Sequence, residues 1–265
     1  MRIRIVDAFT DRPFAGNPAA VCLLDGGDWP AAEQMQAIAA ELNLPMTAFV
    51  LPRADGSFGL RWFNVQIEER LCGHATLATA YVLGGEALRF DTLSGELRAS
   101  VAADGAVTLD FPRADVAPRG PVDGLADALG VEPTEVFESA APHDLIALLD
   151  AEETVAALTP DLDAVAAIQR RETVRLVTVT APAAPGAEHD FVSRVFSPAD
   201  GIPEDPVTGS AHCALAPLWA ARLSRDALVG RQLSARGGTV RTELAGDRVL
   251  LGGRAVQVLE GELAG

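Results

Sequence analysis

Alternating polar and apolar positions open the chain. Arg2-Ile3-Arg4-Ile5-Val6 predicts a strand over residues 2–9, and a second strand is expected over 19–24, beyond the turn-forming run Asp11 to Pro18. Residues 30–42 change to a helical period, with Glu33 and Glu41 among the polar positions. Strand patterns follow at 47–52 and 58–64, then an almost wholly apolar helical run at 73–84, then strands at 87–91, 95–102 and 106–111. The Pro- and Gly-rich stretch from Pro112 to Pro121 reads as a linker. Beyond it, helices are expected at 122–129, 152–156, 161–169 and 209–223. The strands between and after them are expected at 144–149, 173–180, 189–196, 231–235, 238–245 and 248–252, with 254–263 closing the chain. Short strands around one long apolar helix per half predict an α+β architecture rather than a parallel doubly wound sheet. The expected division is 1–115 and 116–253, with the last strand, about 254–265, able to return to the first half.

One helix-opening pattern occurs twice. Arg61-Trp62-Phe63 leads through Glu68-Glu69-Arg70 to Leu71-Cys72-Gly73-His74-Ala75-Thr76, and Arg194-Val195-Phe196 leads through Glu204-Asp205-Pro206-Val207-Thr208 to Gly209-Ser210-Ala211-His212-Cys213. Each copy is an Arg-x-Phe strand end, an acidic turn, and a Gly with small polar residues opening an apolar helix. A helix start offers unpaired backbone N–H groups and the positive end of its dipole, and Gly lets a ligand approach the backbone. Two such starts facing one cleft would suit a small carboxylate. Either copy alone also reads as the ordinary opening of a buried helix. The repetition, with His74, Glu204, Asp205, Ser210 and His212 around it, favours a site.

Composition narrows the class. The chain has 265 residues, 49% of them hydrophobic, so one large or two medium well-cored domains are expected, and no apolar run is long enough to span a bilayer. The N-terminus enters a strand pattern without a signal-peptide core, so a cytoplasmic protein with no membrane partner is expected. A net charge of −16 argues against nucleic acid, which needs a clustered basic surface. Every basic residue is Arg; the absence of Lys removes lysine Schiff-base and P-loop chemistry, leaving Arg, hydroxyls or backbone N–H groups to hold an anion. Cys22, Cys72 and Cys213 are too scattered for a disulfide framework, and His74, His143, His189 and His212 show no ligand spacing, so neither metal nor cofactor is expected.

The segments Val6-Asp7-Ala8-Phe9, Gly16-Asn17-Pro18-Ala19-Ala20-Val21, Leu71-Cys72-Gly73-His74-Ala75-Thr76-Leu77-Ala78 and Phe196 to Ala211 together resemble the signature segments of the PhzF family, over Met1 to about Gly261. The resemblance implies the diaminopimelate epimerase-like fold: two pseudo-symmetric halves, each a barrel-like sheet wrapped round a central helix, with the site between them. It implies a cofactor-independent isomerase acting on a small carboxylate-bearing metabolite, assembled as a homodimer. His74 and Asp205 correspond to polar residues of the family's active site, and Gly73, His74, Gly209 and Ser210 to the backbones that hold the substrate carboxylate. An imidazole with an ordinary pKa near ~6.5, paired with a carboxylate, suits proton transfer near neutrality. Asn17 is a further substrate-binding candidate or a turn former.

One position departs from the family. The family's general acid/base glutamate falls in a segment resembling Asn43-Leu44-Pro45-Met46-Thr47-Ala48-Phe49, where this chain has Met46. Methionine carries no proton, which disfavours the phenazine-precursor substrate and favours another natural-product intermediate, for instance a 4-alkylproline-type precursor. Two alternatives stay open at this point. Cys213 sits where epimerase and racemase relatives carry a thiolate, and a helix start lowers a thiol pKa, although Thr76 stands at the opposing position and Cys213 lies on an apolar helix. The other alternative is a catalytically inactive homologue that binds a metabolite.

Overall fold

The computed structural model describes residues 1–140 and 143–264. The opening alternation becomes β1 (Arg2–Ala8), antiparallel to β2 (Asn17–Leu23). A helix, α1 (Ala32–Leu42), then carries the chain to β3 (Met46–Pro52), parallel to β2; parallel neighbours need such a crossover. β4 (Phe58–Phe63) returns antiparallel to β3, and the two-residue β5 (Glu68–Glu69) pairs with the end of β4. The helix α2 (Gly73–Leu83) leads to β6 (Leu88–Thr92), parallel to β4, then to β7 (Gly95–Val101) and β8 (Val107–Pro112), each antiparallel to the strand before it.

The same order is then repeated. After β9 (Val116–Arg119) and α3 (Leu125–Leu129), β10 (Glu135–Ser139) is antiparallel to β11 (Leu145–Leu148). Helices α4 (Glu152–Ala157) and α5 (Leu162–Glu172) carry the chain to β12 (Val177–Pro182), parallel to β11. β13 (Phe191–Ser197) is antiparallel to β12 and to the short β14 (Ile202–Asp205). The helix α6 (Gly209–Leu223) leads to β15 (Ala227–Gln232), parallel to β13, and to β16 (Gly238–Ala245), antiparallel to β15. β17 (Arg248–Gly253) and β18 (Ala255–Glu262) end the described elements, with β18 antiparallel to β1. By compactness the chain forms two units, Met1–Phe111 with the segment from Leu250 onward, and Pro112–Val249.

In the first unit α1 presents Met35 and Ala39 to Ile3, Ala20, Cys22, Phe49 and Phe63, while α2 packs against β1, β2, β3, β7 and β18. Gly73 through Ala80 are all buried, so α2 needs no polar stripe and its apolar, small-residue sequence follows from that surround. In the second unit α3, α4 and α5 share a core with β10 to β13 that includes Leu129, Val155, Ile168 and Phe196, and α6 is buried along Gly209–Ala216. Pro217 sits inside α6 and cannot donate to the carbonyl four residues earlier; the Ala114 N–H bonds that Cys213 carbonyl instead, at 3.1 Å.

Several expected boundaries move. The stretch Pro112 to Pro121, read as a linker, contains β9, which pairs with β10 so that Pro118 opposes Phe137; its prolines disguised a strand. The short β5, β10 and β14 were not expected, because a few residues carry little periodicity. The helix expected at 161–169 runs on to Glu172, and Thr173 then caps it at φ 57°, so the next strand begins at Val177 instead of 173. The strand expected at 231–235 lies at Ala227–Gln232. Among the described residues no helix is long and apolar enough to cross a membrane.

Candidate functional site

The repeated motif has a structural basis in each unit. The Arg61 guanidinium donates to both Glu68 carboxylate oxygens, at 2.6 and 2.7 Å, and lies 5.3 Å from the Phe63 ring centre. Arg194 donates to both Glu204 oxygens, at 2.7 and 2.9 Å, and lies 5.2 Å from the Phe196 ring centre. In both cases Arg and Glu lie on paired antiparallel strands immediately before a central helix, so the forked pair ties the acidic turn to the strand that feeds it. Glu204, grouped with the candidate polar residues from sequence, is thereby committed to Arg194.

Both central helices begin without a side-chain cap. Neither Cys72 before α2 nor Thr208 before α6 accepts an N-terminal N–H through its side chain, and neither first turn holds an acid. By contrast, Asp161 caps α5 by accepting from the Asp163 and Ala164 N–H groups. Uncapped N–H groups in a buried setting are suited to an anion.

His74, the second residue of α2, is 6% exposed. Its Nδ1 lies 3.5 Å from Cys72 Sγ, while Nε2 has no hydrogen-bond partner among the described residues. Burial lowers its pKa to about 3, so the imidazole is neutral at physiological pH rather than titrating near ~6.5 as expected from its solution value. In the tautomer whose Nδ1–H points to Cys72 Sγ, Nε2 is a lone pair that can accept a proton, and the neutral ring cannot act as a resting imidazolium acid.

Asp205 is half-buried at the end of β14. Its carboxylate accepts from the Thr208 hydroxyl. Gln232, fully buried on β15, clamps the same turn: its Nε2 donates to the Asp205 carbonyl at 2.7 Å and its Oε1 accepts the Thr208 N–H at 2.8 Å. The Ser234 hydroxyl adds a bond to the Pro206 carbonyl at 2.7 Å. Neither Gln232 nor Ser234 stood out in sequence, since they lie more than twenty positions from the turn they hold.

Ser210, the second residue of α6, accepts from Arg175 Nη1 at 3.0 Å. Arg175 in turn donates to both oxygens of Asp144, at 3.0 and 2.6 Å. Burial pushes the Asp144 carboxyl up, and the Arg175 guanidinium opposes that shift. This pair was missed from sequence. Its one available signal is a single charge just before each of two apolar strands, β11 and β12, which become informative only when those strands are seen to run parallel with Leu145 opposite Val177.

The other candidates are packed in the interior. Met46, which stands where the family resemblance implies an acid, is buried at the start of β3 beside Ala19. Asn17, also buried, begins β2 opposite Ala8; the preceding Gly16 is held at φ +65°, where a Cβ would come within 2.2 Å of the Ala8 carbonyl. Thr76 donates its hydroxyl to the Cys72 carbonyl within α2. Cys213 is the fifth residue of α6 and burial pushes its thiol up to about 12, opposite to the lowering expected from a helix start. The dipole acts within the first turn, and desolvation wins beyond it.

The repeated strand order with one buried helix per unit is that of the diaminopimelate epimerase-like α+β class. A hydroxyproline epimerase structure from Agrobacterium vitis superposes with a TM-score of 0.66 over 98% of this chain and 91% of its own at 12% identity, a likeness of fold alone. Within that class the assignment is narrower. The phenazine biosynthesis-like protein family matches residues 6–261, and the chain belongs to this PhzF family. An uncharacterized isomerase of Pseudomonas aeruginosa is 46% identical over 265 residues, covering 97% of this chain and 96% of the relative. The crystal structure of a PhzF-family protein from Enterococcus faecalis matches with a TM-score of 0.91 and 40% identity, covering 99% of this chain and 98% of that one.

Proposed function

We propose that this chain is a cofactor-independent, PhzF-like isomerase that moves a proton, and with it a double bond or a stereocentre, in a small carboxylate-bearing metabolite. His74 and Asp205 are its proton carriers, and the N–H groups at Gly73, Gly209 and Ser210 bind the carboxylate. The observation that carries the reading is His74: a buried, neutral imidazole whose Nε2 has no partner among the described residues, at an uncapped helix start. In the reaction Nε2 takes a proton from a carbon next to a π-system, the electron pair delocalises into that system, and the proton returns at another carbon. A bound anion next to the ring raises its proton affinity, which favours the transfer only when substrate is present.

The donors support this substrate class: with no lysine in the chain, a carboxylate is left to Arg, hydroxyls and backbone N–H groups, and the helix starts carry the last two. Met46 favours a natural-product intermediate, such as a 4-alkylproline-type precursor, over the phenazine precursor. Met46 also supports a second reading, that of a metabolite-binding homologue without turnover. A one-base mechanism through Cys213 is disfavoured by its thiol pKa of about 12.

The test is solvent deuterium incorporation into a panel of unsaturated and cyclic amino-acid carboxylates. His74→Ala and Asp205→Asn are each expected to slow exchange by about 10²-fold or more, the usual share of general acid–base catalysis. Cys213→Ser is expected to change it little. Strong loss at Cys213 with little at His74 would reverse the assignment, and no exchange into any compound by the parent chain would favour the binding reading. Met46→Glu asks whether the family's acid restores exchange in a phenazine-type precursor.

A further inference from the structure

We propose that Asp144 and Arg175 position Ser210 as a dedicated hydrogen-bond donor to the substrate carboxylate, an inference that rests on the carboxylate reading above. A guanidinium has donors only, so the 3.0 Å contact from Arg175 Nη1 must use a lone pair of Ser210 Oγ. The hydroxyl hydrogen is thereby turned away from Arg175. Among the described residues it meets no acceptor, although Ser210 is 8% exposed and buried polar hydrogens are ordinarily bonded. A buried hydroxyl with an unspent donor, beside uncapped N–H groups, is matched to an anion.

The arginine is held firmly enough for this role. Its Nε and Nη2 grip both oxygens of Asp144, which is 1% exposed. The Asp144 N–H is fixed by the Ser139 hydroxyl at 3.0 Å. The Arg175 carbonyl accepts from Gln169 Nε2 at 2.7 Å and from the Ser197 hydroxyl at 3.1 Å. Donation from a cation polarises the serine O–H and strengthens it as a donor to negative charge. Arg175 thus acts through Ser210, as a positioning residue.

The experiment is a sodium acetate titration of the ¹⁵N-labelled full chain at constant ionic strength, following the Gly209 and Ser210 amide resonances. Saturable shifts are expected, and Arg175→Met and Ser210→Ala are each expected to weaken acetate binding about tenfold, the worth of a charge-assisted hydrogen bond. Because the arginine acts through the hydroxyl, the double variant is expected to bind no more weakly than Ser210→Ala alone. Unchanged affinity in Arg175→Met overturns the inference, and so does additive weakening, which would mean that the arginine touches the anion itself. If Arg175→Met does not fold, Asp144→Asn keeps the side-chain shape and takes its place. It is expected to weaken acetate several-fold with Ser210 present and to have no effect beside Ser210→Ala; full affinity with Ser210 present overturns the inference. Absence of any saturable shift in the parent chain overturns the carboxylate reading and this inference together, whereas saturable shifts with the same affinity in every variant overturn the inference alone.

Discussion

Two histidines near the starts of the central helices show how burial sets chemistry. His212 is fully buried, with Nδ1 2.8 Å from the Thr208 carbonyl. A carbonyl only accepts, so Nδ1 carries the proton and Nε2 is a bare lone pair without a partner among the described residues. Burial lowers the His212 pKa to about 4 and the His74 pKa to about 3. The unfolded chain protonates both near ~6.5, so their contribution to stability is intact above that pH and is lost as pH falls through the folded values. Each histidine is expected to cost roughly 2 kcal/mol between about pH 6.5 and 5, at ~1.36 kcal/mol per unit, before most carboxylates protonate. Calorimetric Tm measured across that interval should fall, and should fall less steeply in His212→Gln. Equal slopes would mean that His212 is already solvated or paired.

At the scale of elements, close packing around the central helices leaves particular positions no room. A Cβ on Gly230 of β15 would lie 2.6 Å from Phe191 Cζ and 2.9 Å from His212 Nε2. Phe191 cannot retreat easily, since its other neighbour is the Trp219 ring, stacked at 5.6 Å between centres. Gly230→Ala is therefore expected to destabilise by about 1–3 kcal/mol through overpacking, measured by urea denaturation. Gly120→Ala, at a position with nothing within 4 Å of the added carbon, is expected to stay within about 0.5 kcal/mol. Comparable losses in both would show that the Phe191 contact is not what makes Gly230→Ala costly.

At the scale of the molecule, the first unit depends on residues from both ends of the chain. β1 lies between β2 and β18, with Arg2 opposite Glu262 at one end and Ala8 opposite Ala255 at the other. Ending the chain after Gly253 would remove β18 and leave one edge of β1 unpaired, a template for association. Such a truncation is expected to aggregate or to lose dispersed amide signals from β1 and β2 in an NMR spectrum. A monodisperse product with those signals intact would show that β18 contributes little. The net charge of −16, with arginine as the only fixed cation, sets up self-repulsion between copies at neutral pH that opposes such association in the full chain.

The apolar runs of α2 and α6 and the duplicated Arg-x-Phe and acidic segments were legible in sequence because they are local. A helix buried on all sides shows as an uninterrupted apolar run, and the repeated motif marks the forked Arg–Glu pairs at Arg61 and Arg194. The family signature brought His74, Asp205, Gly209 and Ser210 forward for the same reason, and it exposed Met46 as the departure. Three kinds of feature were decided by tertiary structure alone. Short strands such as β14 exist through their partners rather than their own pattern. The Gln232 clamp and the Asp144–Arg175–Ser210 chain join residues 24 to 35 positions apart, in contacts that no periodicity encodes. The charge states of His74 and Cys213 were likewise beyond the sequence, because a pKa depends on how completely the fold strips water from the group, and solvation is a property of the packed molecule.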